Sequence, residues 1–278
     1  MSFSAEWLAL REPIDHRSVN QVLAARVADW FGTPDHISIM DLGCGAGSNL
    51  RGTWRLFGDS QHWTLVDYDP LLLAAARTRL AAWADEASEA GEELLLVKDG
   101  KRMMVDFRRA DLNADLEKVL DWQPDLVTAA ALFDLVSPSW IDRFVGALAA
   151  RRLPLYTVLT YDGREVWQPP HAADAAMVAA FHSHQHSDKG FGPAAGPDAC
   201  RAMSGAFAAS GYRAETADSP WLMTGADAGL VDALTLGIAT AVRETGKVGE
   251  ADIASWLEAK RGVRQGLVGH LDLFATPT

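Results

Sequence analysis

The residues best suited to chemistry are gathered in Ile39-Met40-Asp41-Leu42-Gly43-Cys44-Gly45-Ala46-Gly47-Ser48-Asn49: an apolar run ending in an acid, three glycines alternating with small residues, then polar residues that open a helix. Lacking a Cβ, glycine lets a backbone bend sharply and come close to a ligand. A second acid closes the next apolar run, in Leu65-Val66-Asp67-Tyr68-Asp69-Pro70. At the carboxyl edge of an open α/β sheet such an acid accepts two hydrogen bonds from a ribose diol, so the two features together point to a bound nucleoside.

Those residues need a sheet to carry them. Val19, Val22, Leu23, Val27, Trp30 and Phe31 recur at helical spacing, with Gly32-Thr33-Pro34 as a stop, so the first helix is expected from Ser18 onward. Residues 37–42 read as a buried strand, 43–47 as a tight turn, 48–57 as a helix and 62–67 as a second strand. Pro70 opens a helix over 71–84, at a position where its missing N–H costs nothing. Runs at 93–97 and 102–107 flank Lys98-Asp99-Gly100-Lys101, the signal of a hairpin inserted around the third strand. A strand at 124–130, a helix at 138–150 and a strand at 153–160 continue the alternation, which implies a parallel sheet covered on both faces. Beyond Tyr161 come a loop through Pro169-Pro170, a helix over 171–184, a glycine- and proline-rich loop over 187–197, and a helix through Phe207. A strand at 212–216, helices over 227–244 and 250–260, and a last strand at 268–275 complete the chain.

The run Asp41-Leu42-Gly43-Cys44-Gly45-Ala46-Gly47, followed by Asp67, resembles the class I S-adenosylmethionine-dependent methyltransferases, whose first motif is acid-x-Gly-x-Gly-x-Gly and whose second strand ends in an acid. The resemblance implies S-adenosyl-L-methionine as cofactor. The turn at Gly43, Cys44, Gly45, Gly47 and Asn49 would pass under its methionine portion, Asp67 would hold the ribose hydroxyls, and Tyr68 would pack beside the adenine. Arg109-Ala110-Asp111-Leu112 resembles the family's adenine-edge position, with Asp111 accepting from the exocyclic amine and the Leu112 N–H donating to the ring. The run 125–132 resembles the fourth-strand motif, whose end at Ala130 faces the methionine group. These matches cover residues 37–161. The implied fold is a Rossmann-like three-layer αβα sandwich: a mostly parallel seven-stranded sheet with an antiparallel last strand, an extra hairpin near the third strand, and added helices. With no internal repeat, heptad run or low-complexity linker, residues 1–278 are expected to form one domain: a helical cap over 1–36, a cofactor-binding half over 37–161 and a substrate-side half over 162–278.

A dinucleotide oxidoreductase shares the glycine turn and the second acid, but its third glycine would stand at Ser48, where this chain has it at Gly47. Asp41 also favours a sulfonium cofactor with a charged amino-acid end over a pyrophosphate, which it would repel. The second class of reading is a non-catalytic scaffold or sensor that keeps the cofactor fold. Fold resemblance does not identify the methyl acceptor. An oxygen, nitrogen or carbon atom of a small molecule is expected, and a hydroxyl or ammonium acceptor needs a base.

The candidates for that base are Asp134, His184 and Tyr161, each beside a reading without function. Asp134 is equally an acid at the start of a helix. Tyr161-Asp162-Gly163-Arg164 with Trp167 is either a surface turn or one wall of the acceptor pocket. In Phe181-His182-Ser183-His184-Gln185-His186, an extended chain would converge three histidines on a metal, whereas a helix puts His182 and His186 on one face and His184 away from them. No metal is expected, since no further cysteine or acid stands at ligand spacing. Trp54, Trp83, Trp140 and Trp256 fall at helical apolar positions and read as core; Trp167 and Trp221 read as loop residues suited to a pocket. The Asn/Asp-Pro-Pro-Tyr/Phe signature for planar amines is absent. Arg11 or Arg17, ahead of the first helix, is a candidate to pair with the cofactor carboxylate, against a solvated charge cluster.

Composition bounds the partners. With 25 Lys plus Arg against 37 Asp plus Glu, the net charge of -12 disfavours nucleic acid and anionic membrane surfaces. Two cysteines, Cys44 and Cys200, make no disulfide framework and fit a reducing cytoplasm. Met1 to Trp7 shows no export signal, and the apolar stretch 229–242, which contains Asp232, is shorter than the roughly 20 residues that span a bilayer. A cytoplasmic protein acting on a small molecule is expected.

Overall fold

The computed structural model describes residues 3–32, 34–263 and 265–278. Thr33 of the expected stop, and Met1 and Ser2, lie outside the described residues. Two helices precede the first strand, α1 (Ala5–Ser18) and α2 (Gln21–Phe31). The first of them corrects the expectation that Arg11 and Arg17 stand ahead of the first helix. Its apolar residues form no stripe and Pro13 lies inside it, so periodicity is silent there; it is started by Ser4, whose hydroxyl accepts from the Trp7 N–H at 3.1 Å. Helix α2 begins at Gln21 and not Ser18 because Asn20 caps it, its Oδ1 accepting from the Leu23 N–H at 3.0 Å.

The strands are β1 (Ile37–Leu42), β2 (Ser60–Asp67), β3 (Glu86–Ala90), β4 (Glu93–Lys98), β5 (Lys101–Arg109), β6 (Leu126–Ala130), β7 (Leu155–Gln168), β8 (Tyr212–Asp218), β9 (Trp221–Thr224) and β10 (Gln265–Pro277). They form one sheet in the order β3-β4-β5-β2-β1-β6-β7-β10-β8, with β9 on β10. The seven expected strands are β5, β2, β1, β6, β7, β10 and β8, with β10 antiparallel to β7 and β8. Among the described residues three more raise the count to ten: β4 forms the expected hairpin with β5, while β3 and β9 were not foreseen. Strand β3 is Glu-Ala-Ser-Glu-Ala, exposed throughout, with no alternation to betray it. Strand β1 pairs in parallel with β2 on one side and β6 on the other, so the chain order reverses there and a crevice opens beyond its carboxyl end.

Side chains alternate across β1. Ile37 and Ile39 enter a core shared with α2, α3 (Ser48–Thr53) and α4 (Pro70–Trp83). Met40 and Leu42 enter a second core with α5 (Leu112–Leu120), α6 (Pro138–Arg151) and α8 (Ala199–Ala209). Helices α7 (Asp174–Gln185), α9 (Ala228–Thr245) and α10 (Glu250–Lys260) join the first core. This is the three-layer arrangement the alternation implies. Strand β7 runs on to Gln168 because β10 pairs with it from Leu155 to Gln168. Tyr161 to Arg164 is therefore not a turn, and Trp167 and Trp221 are buried strand residues, not loop residues. Trp167 packs edge-on against Trp256.

The apolar segment near 229–242 is longer than its sequence suggested. A short turn continues into α9 to make 21 helical residues, Gly225–Thr245, long and apolar enough to cross a membrane by length and composition. Leu230, Val231, Ile238 and Val242 of that helix are buried within the first core.

Candidate active site

The turn leaving β1 passes through left-handed backbone at Gly43 (φ 63°) and Gly45 (φ 52°). A Cβ at Gly43 would stand 3.3 Å from Leu132, beyond the end of β6, and one at Gly45 would stand 2.9 Å from Leu8 of α1. Their left-handed backbone favours glycine at both positions, and a Cβ at Gly45 would in addition have to displace the Leu8 methyl. The Gly45 N–H donates to Asp67 Oδ2 at 2.8 Å and the Asp69 N–H donates to Oδ1 at 2.9 Å. Each carboxylate oxygen retains a further acceptor direction. Burial raises the pKa of Asp67, against the lowering effect of those N–H donors.

The turn and Asp67 share a cleft of about 360 Å³ that also takes in Tyr68, Asp111, Leu112 and Ala130. Asp111 caps α5, its Oδ1 accepting from the Asn113 N–H at 2.9 Å. Leu112 is the first residue of that helix, so its N–H has no acceptor within the helix. Helix α1 closes the other side through Leu8, Arg11 and His16. It is pinned there by two Glu12–Arg51 bonds of 2.7 Å and by His16 Nε2, 3.0 Å from both oxygens of Ser48.

Two residues of the implied set stand behind this surface. Asp41 is wholly buried, its Oδ1 accepting from Asn49 Nδ2 at 2.8 Å, and burial pushes its carboxyl up to about 7. Asn49 lines the cleft and Asp41 does not, so any influence of Asp41 on a ligand passes through Asn49. Gly47 faces Ala76 and Leu80 of α4, where a Cβ would lie 3.4 Å from each. Its position serves helix packing. Tyr68 is 63% exposed at the rim, with the Arg109 guanidinium 5.5 Å from its ring.

A second chamber, of about 640 Å³, adjoins the cleft; Arg11, Ala131, Leu135, Leu159 and Lys189 border both. Ala131 (φ 50°) and Leu159 (φ 60°) hold left-handed backbone without being glycine, a strain that surrounding bonds must maintain. The Ala131 N–H donates to Val158 O at 3.0 Å, and the Leu159 N–H donates to Asp272 Oδ1 at 2.9 Å. The other oxygen of Asp272 receives the Asn20 N–H at 2.8 Å.

Asp134, from the short turn after β6, enters this chamber. It is 7% exposed, its Oδ1 has no hydrogen-bond partner, and burial pushes its carboxyl up to about 6. His270 of β10 stands between the rings of Tyr161 and Trp221, centroids 6.2 and 5.0 Å away. Burial holds it neutral, pushing its pKa down to about 3, and its Nδ1 has no partner. Tyr161 Oη donates to Glu165 Oε1 at 2.8 Å, and burial raises Glu165 to about 7 and Tyr161 well above its usual value. Arg11 holds both oxygens of Asp15, at 2.8 and 3.1 Å, and lies 4.9 Å over Trp221. At the rim Lys189 Nζ meets Ser187 Oγ at 2.8 Å and His184 Nδ1 at 3.3 Å, while His184 Nε2 meets Glu244 Oε2 at 3.0 Å. An ammonium only donates, so Nδ1 of His184 accepts and Nε2–H donates to Glu244.

All three expected acceptor-side residues, Asp134, His184 and Tyr161, line the chamber. The histidine segment is helical through Gln185, and its rings are dispersed: His182 Nε2 lies 3.1 Å from Gly163 O and from Tyr161 Oη, and His186 Nδ1 lies 3.1 Å from Ala194 O. Among the described residues no three His, Cys, Asp or Glu side chains are grouped to hold a metal. Arg11 borders the cleft as one of two expected arginines, whereas Arg17 pairs with Asp227 outside it. His270, Glu165 and Lys189 were not foreseen. The first two lie on long antiparallel partners, β10 and β7, and nothing local marks such residues as facing a cavity.

No family model matches the chain, and no curated protein matches its sequence. Solved structures do match. A cyclopropane-fatty-acyl-phospholipid synthase-like protein from Lactobacillus casei is 15% identical, with 100% of this chain and 95% of that one covered and a TM-score of 0.54. The YcgJ protein of Bacillus subtilis is 10% identical, covering 93% and 99%, with a TM-score of 0.50. A protein provisionally described as a methyltransferase from Bacillus halodurans is 12% identical, covering 92% and 99%, also at 0.50. At such identities the likeness concerns the fold, which is the Rossmann-like fold of class I S-adenosylmethionine-dependent methyltransferases.

Proposed function

We propose that the chain binds S-adenosylmethionine in the cleft at the β1 switch point and transfers its methyl group to a small molecule held in the adjoining chamber. The observation that carries this reading is the bond from the Gly45 N–H to Asp67 Oδ2. It ties the side-chain-free turn to the diol-accepting carboxylate on one wall, so a nucleoside can be gripped by both. The residues fit the group: Asp67 keeps free lone pairs, the Leu112 N–H is unspent within its helix, and bulk at Gly43 or Gly45 would fill the cradle.

When bound, the cofactor supplies an already activated methyl on a positively charged sulfur, so proximity and orientation account for most of the remaining acceleration. The chain's own part is positional. Asp67 orients the ribose, Asp111 and Leu112 meet the adenine edge, and α1 covers the turn through Leu8 and His16. Ala131, Leu135 and Leu159 border the passage to the chamber, where Asp134 stands as proton acceptor.

The test is thermal shift with S-adenosylhomocysteine and with NADH. A ligand at 100 times its Kd stabilises by about 2.7 kcal/mol, so stabilisation by the first and not the second is expected. Stabilisation by NADH alone would replace this reading with an oxidoreductase. A screen of metabolite extract for methyl incorporation from labelled donor then separates turnover from mere binding.

A further inference from the structure

The chamber carries information about its occupant that the cleft does not. Its outer wall is apolar and built from small or flexible side chains of α9, among them Leu234, Gly237, Ile238 and Ala241, faced by Phe181 of α7. Its volume suits a drug-sized body. Toward the cleft the wall turns polar, and there the charges are unequal. Arg11 is already engaged by both oxygens of Asp15. Lys189 is held by Ser187 and by His184, with Glu244 beyond, and His270 is neutral. Glu165 lies behind Tyr161. Two of these acids have a buried oxygen that meets no donor, Glu165 Oε2 and Asp134 Oδ1; Glu165 is tied by its other oxygen to Tyr161, whereas Asp134 stands three residues along the chain from the passage residue Ala131 and next to the passage residue Leu135.

Resting on the methyl-transfer reading, we propose that the acceptor is a basic aliphatic amine on an apolar body, seated with its nitrogen at Asp134. An orphaned carboxylate oxygen in a dry site is met most completely by a charged donor, and an ammonium forms both the ion pair and the hydrogen bond. A carboxylate or phosphate at that point would be repelled. A hydroxyl would satisfy the hydrogen bond and leave the charge unmet. The Tyr161 ring also lines the chamber, and an aromatic ring there favours a cation, whereas Trp221 already carries the Arg11 guanidinium. The step balances: the acceptor ammonium gives one proton to the Asp134 carboxylate, and the freed nitrogen lone pair forms the N–CH3 bond. The S–CH3 bond breaks with its electron pair going to sulfur, which leaves a neutral thioether. The carboxyl of Asp134, pushed up by burial into the range near neutrality, is suited to taking that proton and releasing it afterwards.

The experiment uses three probes with one indole body, tryptamine, tryptophol and indole-3-propionate, titrated calorimetrically into the full chain saturated with S-adenosylhomocysteine. Tryptamine is expected to bind at least about tenfold more tightly than the other two, the scale of discrimination a site with unpaired polar groups imposes. Asp134→Asn should erase that preference, and Asp134→Glu, which keeps the charge, should retain it, with S-adenosylhomocysteine affinity within about twofold in both. Equal or tighter binding of the alcohol or the acid, or no binding of any probe, overturns the amine assignment while leaving the cofactor reading intact. Failure to bind S-adenosylhomocysteine removes the cofactor reading itself, and the amine assignment with it.

Discussion

Asp134→Asn should make the protein more stable while impairing it. The wild-type carboxyl is 7% exposed, its Oδ1 is without a donor, and burial moves its pKa from 3.8 to about 6. Between those values the folded chain holds a proton that the unfolded chain has lost, so wild-type stability falls as pH rises through that window and is level above it. The interval corresponds to about 3 kcal/mol above pH 7, at roughly 1.4 kcal/mol for each pH unit. Asparagine has nearly the same shape and no charge, so it removes the penalty; its amide replaces the protonated carboxyl as the group lacking a full set of partners. For a chain of 278 residues, 3 kcal/mol raises Tm by about 5 °C. Calorimetric or urea melts at pH 8 and pH 5 provide the assay: the full gain at pH 8 and about half of it at pH 5. A gain that is absent at pH 8, or equal at the two pH values, would mean that the carboxylate finds a partner in solution and that the chamber has no unmet charge.

Two further perturbations probe other parts of the argument. Asp67→Ala should raise the calorimetric Kd for S-adenosylhomocysteine about 100-fold, the worth of two hydrogen bonds to a charged acceptor, and an unchanged Kd would detach Asp67 from the ribose site. Lys260 is 1% exposed, 2.6 Å from Asp174 Oδ1, with its ammonium 5.4 and 5.2 Å from the rings of Trp167 and Trp256. Asp174→Ala should therefore cost about 3–5 kcal/mol in urea unfolding by stranding a buried cation, and adding Lys260→Met should restore most of it. A single variant as stable as the wild type would show that water reaches Lys260.

Much of the cofactor side was legible because its signals are local. A strand, a glycine turn, a helix and an acid at the next strand end are consecutive along the chain, and each is read from side-chain type and period. Helix α10 was expected over the residues it occupies, and α4 differs from expectation by a residue at either end, for the same reason. Where the reading missed, the deciding contact was distant. Helix α1 has no apolar stripe and is held over the turn by Glu12–Arg51 and His16–Ser48. Strand β3 is exposed throughout, with no apolar alternation, and exists because β4 pairs with it. The end of β7 looked like a turn because Asp162-Gly163 has turn composition, yet β10 draws it out to Gln168.

By itself the sequence determined the alternating sheet, the place of the glycine turn and the second acid at strand ends, and the chemistry of the turn, since these depend on backbone freedom and apolar period within short windows. Only the tertiary structure decided that Asp41 lies behind the wall, that β10 brings His270 and Asp272 to the chamber and its passage, and that the Asp134 carboxylate is left with an oxygen unpaired. Burial and hydrogen-bond satisfaction belong to the packed whole, where one residue's environment is set by strands more than a hundred positions away.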